Sequence, residues 1–139
     1  MYIEVNREVP TVIEEKIKKL AQQDNFGTIT TLLSDGTPST HVMWVDADDE
    51  YMLINTETGR AKFRNIQRDP RVSVVVLNKN NPYEYAEVRG RVVETVTGDE
   101  AREHIDQLSL KYTDKPYDSN AIQTERVILK IAPERQRSY

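Results

Sequence analysis

The sequence contains no cysteine and only two histidines among its 139 residues. The lack of cysteine excludes disulfide bonds, iron–sulfur clusters, cysteine zinc sites and a thiolate nucleophile. Because His41 and His104 are the only imidazoles, a zinc enzyme is also disfavoured. We therefore predict no metal site.

Long apolar runs and common catalytic motifs are missing as well. No segment approaches the ~18 apolar residues that cross a bilayer, and residues 1–20 carry acids and lysines where a signal peptide needs an apolar stretch. Neither a Gly-x-Ser-x-Gly elbow nor a Gly-x-Gly-x-x-Gly loop is present, which disfavours α/β-hydrolases and Rossmann proteins. We expect a soluble cytoplasmic protein with no membrane partner.

The chain also lacks an excess of positive charge. Its 19 basic and 23 acidic residues give a net charge of -4, which disfavours binding to nucleic acid. Five basic residues and one acidic residue lie between Gly59 and Arg71, a local net charge of +4 that leaves -8 for the rest. This contrast predicts a small anionic ligand rather than a polymer.

The length and the hydrophobic pattern predict one mainly β domain over residues 1–139. With 37% apolar residues the chain has enough material for one core. A helix is expected over 10–23, a short basic helix from Ala61 to Asp69, and a third helix from Asp99 to Tyr112. Six strands are expected over 26–33, 38–45, 51–55, 71–77, 83–97 and 126–131, with turns or loops at 46–50 and 113–124 and a polar tail at 133–139.

These elements favour an antiparallel sheet that forms a closed or nearly closed small barrel. The strand at 71–77 is almost continuously apolar, which predicts a central strand covered on both faces. Gly90 lies in the middle of the longest strand, where a glycine is typical of a bulge or a corner.

The segment from Ile54 to Lys62 is the most informative for chemistry. A strand ends in Asn55 and Thr56, Gly59 permits close backbone approach, and a helix then begins with Arg60 and Lys62 beside it. Free N–H groups, a positive dipole end and two cations are the parts of a phosphate site. The alternative is an ordinary short helix whose basic residues are only solvated.

Other candidate residues have two interpretations each. Trp44 is more typical of core packing than of ligand contact. Tyr83 and Tyr85 share one face of their strand, as either a cross-strand packing ladder or a ring-stacking surface. His41 is interpreted as structural or exposed, and the acidic residues are too scattered to indicate a catalytic pair.

Several linked motifs resemble a known family. They are Asn-Thr at 55–56, Gly-Arg-Ala-Lys at 59–62, Arg-Asp-Pro-Arg-Val at 68–72, Asn-Pro-Tyr-Glu-Tyr at 81–85 and Glu-Val-Arg-Gly-Arg-Val at 87–92. Together they resemble the pyridoxamine phosphate oxidase-like split β-barrel flavoproteins, and within them the F420-dependent reductase type. The resemblance extends from about Phe26 to Pro133.

The resemblance implies a homodimer of six-stranded split barrels with two cofactor sites in grooves between the subunits. Several residues are implied to bind the cofactor: Arg60 and Lys62 its phosphate, Asn55 and Thr56 beside them, the backbone of Val42, Met43 and Trp44 along its ring, and Tyr83 and Tyr85 in the groove, from either subunit. The chain has His41-Val42 where relatives often have Thr-Pro, so the contacts at the ring edge are expected to differ.

The function implied first is hydride transfer from the deazaflavin coenzyme F420 to an unsaturated small-molecule acceptor. An FMN-dependent oxidoreductase of the same fold is the second interpretation, and a cofactor-binding protein without turnover is the third. Because the cofactor itself carries the hydride chemistry, no catalytic side chain is predicted. Arg64, Arg68, Arg71, Arg135 and Arg137 are available to a polyanionic cofactor tail.

Overall fold

The structure is a computed structural model, and it describes residues 12–139. The helices in this part of the chain are α1 (Glu15–Gln22), α2 (Ala61–Arg68) and α3 (Asp99–Thr113), with a 3-10 turn at Ser119–Ala121. The strands are β1 (Phe26–Leu32), β2 (Pro38–Trp44), β3 (Asp46–Ala47), β4 (Met52–Glu57), β5 (Arg71–Asn78), β6 (Asn81–Val96) and β7 (Arg126–Ser138).

The strands form one antiparallel sheet in the order β2-β1-β5-β6-β7-β4-β3. The sheet curls so that β2 and β4 come close together without pairing. This arrangement is a split barrel, and it confirms the predicted mainly β fold with peripheral helices. The open seam between β2 and β4 is where the candidate site lies.

Alternation of side chains along the strands builds the core. Ile29, Val74, Val88 and Leu129 are each at most 1% exposed and point into the barrel. Strand β5 lies centrally between β1 and β6, as predicted, but only one of its faces is buried within the chain. The other face of β5 stays half-exposed, so the predicted cover on both faces is not supplied by these 128 described residues.

Gly90 produces the predicted bulge. The β6–β7 register shifts between Arg89 and Gly90, and a Cβ on Gly90 would lie 2.0 Å from the carbonyl oxygen of Ala132. No side chain fits at that distance, so glycine is required where the two longest strands bend together.

Three boundaries differ from the sequence predictions. Strand β7 continues through the expected polar tail to Ser138, because Arg135 and Arg137 pair with Arg89 and Glu87 of β6. Asp46–Ala47 forms a short strand with β4 instead of a turn, which makes seven strands in the described residues rather than six. Helix α1 begins at Glu15 rather than at residue 10, and residues 10 and 11 lie outside the described part.

Within residues 12–139, no helix is both long enough and apolar enough to cross a membrane.

Candidate functional site

A cavity of about 390 Å³ opens at the seam between β2 and β4. Its walls come from β1, β2, β4, α3 and the loop that leads into β7. The lining residues are Phe26, Val42, Met43, Trp44, Asn55, Arg60, Ile105, Tyr117 and Arg126. One side is therefore apolar and aromatic, whereas the other is polar and cationic.

The aromatic side is centred on Trp44 at the end of β2. Its indole stacks on Tyr112, with ring centroids 5.3 Å apart and planes 5° apart, and meets the ring of Tyr117 edge-on at 6.3 Å. The Tyr112 hydroxyl donates to the carbonyl oxygen of Asn25 and accepts from the backbone N–H of Val45 at 3.1 Å, which holds the stack in place. Burial raises the pKa of Tyr112 to about 12, so the hydroxyl remains protonated. Trp44 is thus both part of a packed cluster and a wall of the cavity.

Strand β2 contributes its backbone to the same wall. It pairs with β1 on one side and is an edge strand on the other. An edge strand carries N–H and C=O groups without ladder partners, which a flat heteroaromatic ring can use. Val42 on this strand is 72% exposed, an unusual exposure for a β-branched residue in a sheet.

The polar side of the cavity is organised around a buried arginine at the start of β7. The side chain of Arg126 is 6% exposed, its Nε donates to Asn55 Oδ1 at 2.9 Å, and its guanidinium lies 5.2 Å from the Tyr117 ring centroid. A second bond of 3.3 Å joins Arg126 to Glu57 Oε2. The register of β4 against β7 places Glu57 directly opposite Arg126.

Glu57 ties this arginine to the neighbouring loop and to Arg60. Its Oε1 accepts hydrogen bonds from the backbone N–H groups of Gln123 (2.9 Å) and Thr124 (2.8 Å), and its Oε2 lies 3.3 Å from Arg60. Burial opposes ionisation, but these donors together with the charge of Arg126 hold the pKa of Glu57 below its ordinary value. Glu57 is therefore an anion that positions two cations.

Helix α2 begins beside this cluster with an unusual charge pattern. Its N-cap residue is Arg60, no side chain caps its first turn, and that turn contains no acid. Both other helices have acids in the first turn, which is the arrangement that the helix dipole favours. Cations at an uncapped helix N-terminus are unfavourable unless an anion binds there.

Lys62 lies in the first turn of α2 and is only 6% exposed. No carboxylate of residues 12–139 lies within 4.0 Å of its amino group. Burial, followed by the charges of Arg60 and Arg126, lowers the pKa of Lys62. A buried cation next to two other cations is the strongest electrostatic indication of an anion site in the described structure.

Asn55 connects the cavity to α3. Its amide donates to the carbonyl oxygen of Ala101 at 3.0 Å and lies 3.1 Å from His104 Nδ1. His104 Nε2 in turn lies 3.0 Å from Asp46 Oδ2.

The structure brings together five of the nine predicted binding residues. Val42, Met43, Trp44, Asn55 and Arg60 line the cavity, and Lys62 lies two residues beyond Arg60 at the start of α2. Their roles in cofactor binding stay predictions.

The remaining three predicted residues lie elsewhere in the chain. Thr56 faces away from Asn55, and its buried hydroxyl has no hydrogen-bond partner in the described structure. Tyr83 is 88% exposed on β6, and Tyr85 stacks on Tyr139 with centroids 4.5 Å apart. Neither tyrosine lines this cavity of the same chain.

Sequence reasoning missed Arg126, Glu57, Tyr117 and His104. Arg126 had one local signal, because it is a charged residue directly before the apolar strand Val127–Ile131. Tyr117 lay in a segment interpreted as a polar loop, and the importance of Glu57 and His104 follows from contacts with residues distant in sequence.

Comparison with known proteins defines the class. Residues 13–139 match the family described as pyridoxamine 5'-phosphate oxidase. The match covers most of the chain, and the chain therefore belongs to this family, as its motifs predicted.

Solved structures support the same assignment. A protein named F420 reductase is 32% identical with a TM-score of 0.77, and the match covers 90% of this chain and 98% of that one. A conserved hypothetical protein of Mycobacterium tuberculosis is 26% identical with a TM-score of 0.69, over 94% and 87% of the two chains. General stress protein 26 of Bacillus anthracis, at 24% identity and a TM-score of 0.64 over 89% and 91%, shows the shared fold.

Proposed function

We propose that this protein is an oxidoreductase that holds a flavin or deazaflavin in the cavity between β2 and β4. The observation that carries the proposal is the pairing of an aromatic wall with an anion-binding corner in one cavity. A tricyclic ring suits the Trp44 side and the exposed edge of β2, and a phosphate suits the uncapped start of α2.

The anion corner fits a phosphate on two independent grounds. Arg60, Lys62 and Arg126 provide three cations against the single carboxylate of Glu57. The first N–H groups of α2 have no side-chain cap. A phosphate would neutralise the excess charge and supply acceptors for these donors.

Of the possible cofactors, F420 is the leading proposal. The similarity to the protein named F420 reductase, at 32% identity over nearly the whole of both chains, favours it. FMN is the second candidate, because the family takes its description from pyridoxamine 5'-phosphate oxidase. A binding protein without turnover is the third.

When bound, such a cofactor supplies the hydride chemistry, and the protein supplies orientation and electrostatics. Trp44 and Tyr117 would fix the ring plane, while the backbone of Val42 and Met43 would contact the ring edge. Glu57 and Asn55 hold Arg126 toward the cavity before any ligand arrives, so little reorganisation accompanies binding. No side chain is assigned the role of proton donor.

We also propose that a second copy of the chain covers the half-exposed outer face of β1, β2 and β5. Val42 at 72% exposure and the uncovered side of β5 support this. Tyr83 and Tyr85 would then reach the partner's cavity. Size-exclusion chromatography with light scattering should give a dimer mass; a monomer that still binds cofactor tightly would contradict it.

The test of function uses Trp44, the only tryptophan of the chain, as the reporter. Because its indole lines the cavity, binding of F420 or FMN should quench its fluorescence, and titration gives both affinities. Trp44→Phe should abolish the signal while retaining binding measured by ultrafiltration.

Reactivity then separates the alternatives. Protein loaded with reduced F420 should be stable in air and become oxidised when an enone, quinone or tetrapyrrole acceptor is added. Tight FMN binding with rapid oxygen consumption, and no F420 binding, would favour the second candidate. A reduced complex that passes electrons to none of these acceptors would favour the binding protein.

A further inference from the structure

A chain of hydrogen bonds links the protein surface to Arg126 in the cavity. Asp46 Oδ2 lies 3.0 Å from His104 Nε2, His104 Nδ1 lies 3.1 Å from Asn55 Nδ2, and Asn55 Oδ1 lies 2.9 Å from Arg126 Nε. Asn55, His104 and Arg126 are each at most 7% exposed. One buried amide therefore connects a histidine that can change its charge to an arginine of the proposed anion corner.

The donors and acceptors around Asn55 determine the tautomer of His104. Arg126 can only donate, so the oxygen of the Asn55 amide must face it. The carbonyl of Ala101 can only accept, so the amide nitrogen must face Ala101 and, with its second hydrogen, His104. Nδ1 of His104 is thus an acceptor, the hydrogen of the neutral ring is on Nε2, and it is donated to Asp46.

Charged groups surround the histidine from every element packed on it. A cavity of about 240 Å³ beside the ring is lined by three acids and one lysine. A second lysine, Lys111, interacts with the charge of Asp46. The groups are Asp46 and Asp48 from the β3 region, Glu100, Glu103 and Lys111 from α3, and Lys130 from β7. Charges of both signs therefore lie around the ring, and the cavity gives a proton a route between the ring and solvent.

We propose that His104 is a positioning residue whose protonation loosens Arg126 and so weakens binding of the anionic cofactor as pH falls. A proton on Nδ1 turns the contact with Asn55 into one donor facing another. If the amide rotates to relieve it, its NH₂ group faces Arg126, which cannot accept. In either orientation one bond of the chain is lost. This inference rests on the proposed function, because it places the cofactor's anionic group against Arg126.

The sign of the effect distinguishes this mechanism from simple electrostatics. An added positive charge near a cationic cavity would by itself strengthen the binding of an anion. Loss of the bond that orients Arg126 acts in the opposite direction, by about five- to tenfold in the dissociation constant.

The first experiment needs no cofactor. Nitrogen-15 NMR of the apo-protein should show His104 as the Nε2–H tautomer at about pH 8 and as the imidazolium at about pH 5.5, with the Asn55 side-chain amide and Arg126 Nε signals shifting at the same midpoint. A ring that stays neutral throughout, or that titrates while both other signals stay fixed, would overturn the proposal.

The second experiment measures affinity for F420 and for FMN by Trp44 fluorescence at the same two pH values. The wild type should bind about five- to tenfold more weakly at the lower pH. His104→Asn keeps an acceptor oxygen for Asn55 that does not titrate, so cofactor affinity in this variant should no longer depend on pH in this way. His41→Asn, at the other histidine, is the control and should keep the pH dependence of the wild type. Titration of the FMN phosphate cancels in the comparison of variants. Tighter binding at low pH, or equal dependence in His104→Asn, would refute the switch. If neither cofactor binds, the proposed function fails, and the NMR result still decides the relay.

Discussion

Replacement of Lys62 by methionine should stabilise the apo-protein while it weakens cofactor binding. Lys62 is 6% exposed, has no carboxylate within 4.0 Å among residues 12–139, and lies next to Arg60 and Arg126. Methionine has a similar length and flexibility but no charge to bury. Removal of an uncompensated buried cation should raise the free energy of unfolding by about 1–2 kcal/mol, which is roughly 3–8 °C in Tm for a domain of this size.

The same substitution removes one charge-assisted bond to the proposed phosphate. The expected loss of affinity is about 1.5–3 kcal/mol, or roughly 10- to 150-fold. Thermal unfolding with and without cofactor measures both effects. Without cofactor Lys62→Met should melt higher than the wild type, and with saturating cofactor the order should reverse.

Lys111 provides a matched control. It is also a lysine whose pKa burial lowers, but its amino group donates to the carbonyl oxygens of Ala21 (3.0 Å) and Val45 (2.6 Å). Lys111→Met removes both bonds, leaves the Ala21 carbonyl without a donor and should destabilise the protein by about 1–3 kcal/mol. If both substitutions destabilise the apo-protein alike, Lys62 is a structural residue and the reasoning fails.

The effect of Lys62 should also depend on pH. The pKa of Lys62 in the folded apo-protein is below its ordinary value of 10.5. The destabilisation is therefore fully present below the folded pKa and is relieved as pH rises through it toward 10.5. The gain in stability of Lys62→Met should accordingly shrink as pH rises toward 10.5. A gain that grows with pH would contradict this assignment.

Three further predictions concern the frame of the site and are measured by denaturant unfolding. Gly59→Ala would bring a Cβ to 2.6 Å from Thr124 Cγ2 and should lower the free energy of unfolding by about 1–3 kcal/mol. Adding Thr124→Ser, which deletes that methyl group but keeps the hydroxyl, should recover most of the lost stability. No recovery in the double variant would disprove the steric origin. Gly90→Ala should cost more, about 3 kcal/mol or above, because the backbone oxygen of Ala132 cannot move aside, whereas Gly36→Ala, in open space at φ +84°, should cost only about 1 kcal/mol. The folded pKa of Glu57 lies below 4.5, so its contribution to the free energy of unfolding is present above pH 4.5 and is lost as pH falls through the folded pKa. Glu57→Gln should be less stable than the wild type by about 2–3 kcal/mol at neutral pH, and its stability should depend less steeply on pH in acid. An unchanged acid profile would count against a stabilising pair of Glu57 with Arg126.

Sequence patterns predict the order of the helices and of every strand except the short β3, and they locate the candidate anion-binding segment. The β-branched residues of 26–33 and the almost continuously apolar run at 71–77 indicate β1 and β5, and the residues Ser-Asp-Gly-Thr at 34–37 have the composition of the turn that joins β1 to β2. The Gly59–Lys62 segment has its glycine and both cations within four consecutive positions, so the sequence motif alone identifies it as a candidate. The bulge at Gly90 was predictable for the same reason, because the residue type alone indicates a bend.

Which side chains share the cavity depends on pairing between strands that are distant in sequence. Arg126 bonds to a residue 71 positions away, Asn55, and to one 69 positions away, Glu57. These pairs exist because β4 and β7 adopt one register, and the adjacent α3 brings His104 to Asn55. Local periodicity reports which residues need burial. The choice among alternative registers depends on which one pairs buried polar groups such as Arg126 and Asn55, and that balance involves strands distant in sequence.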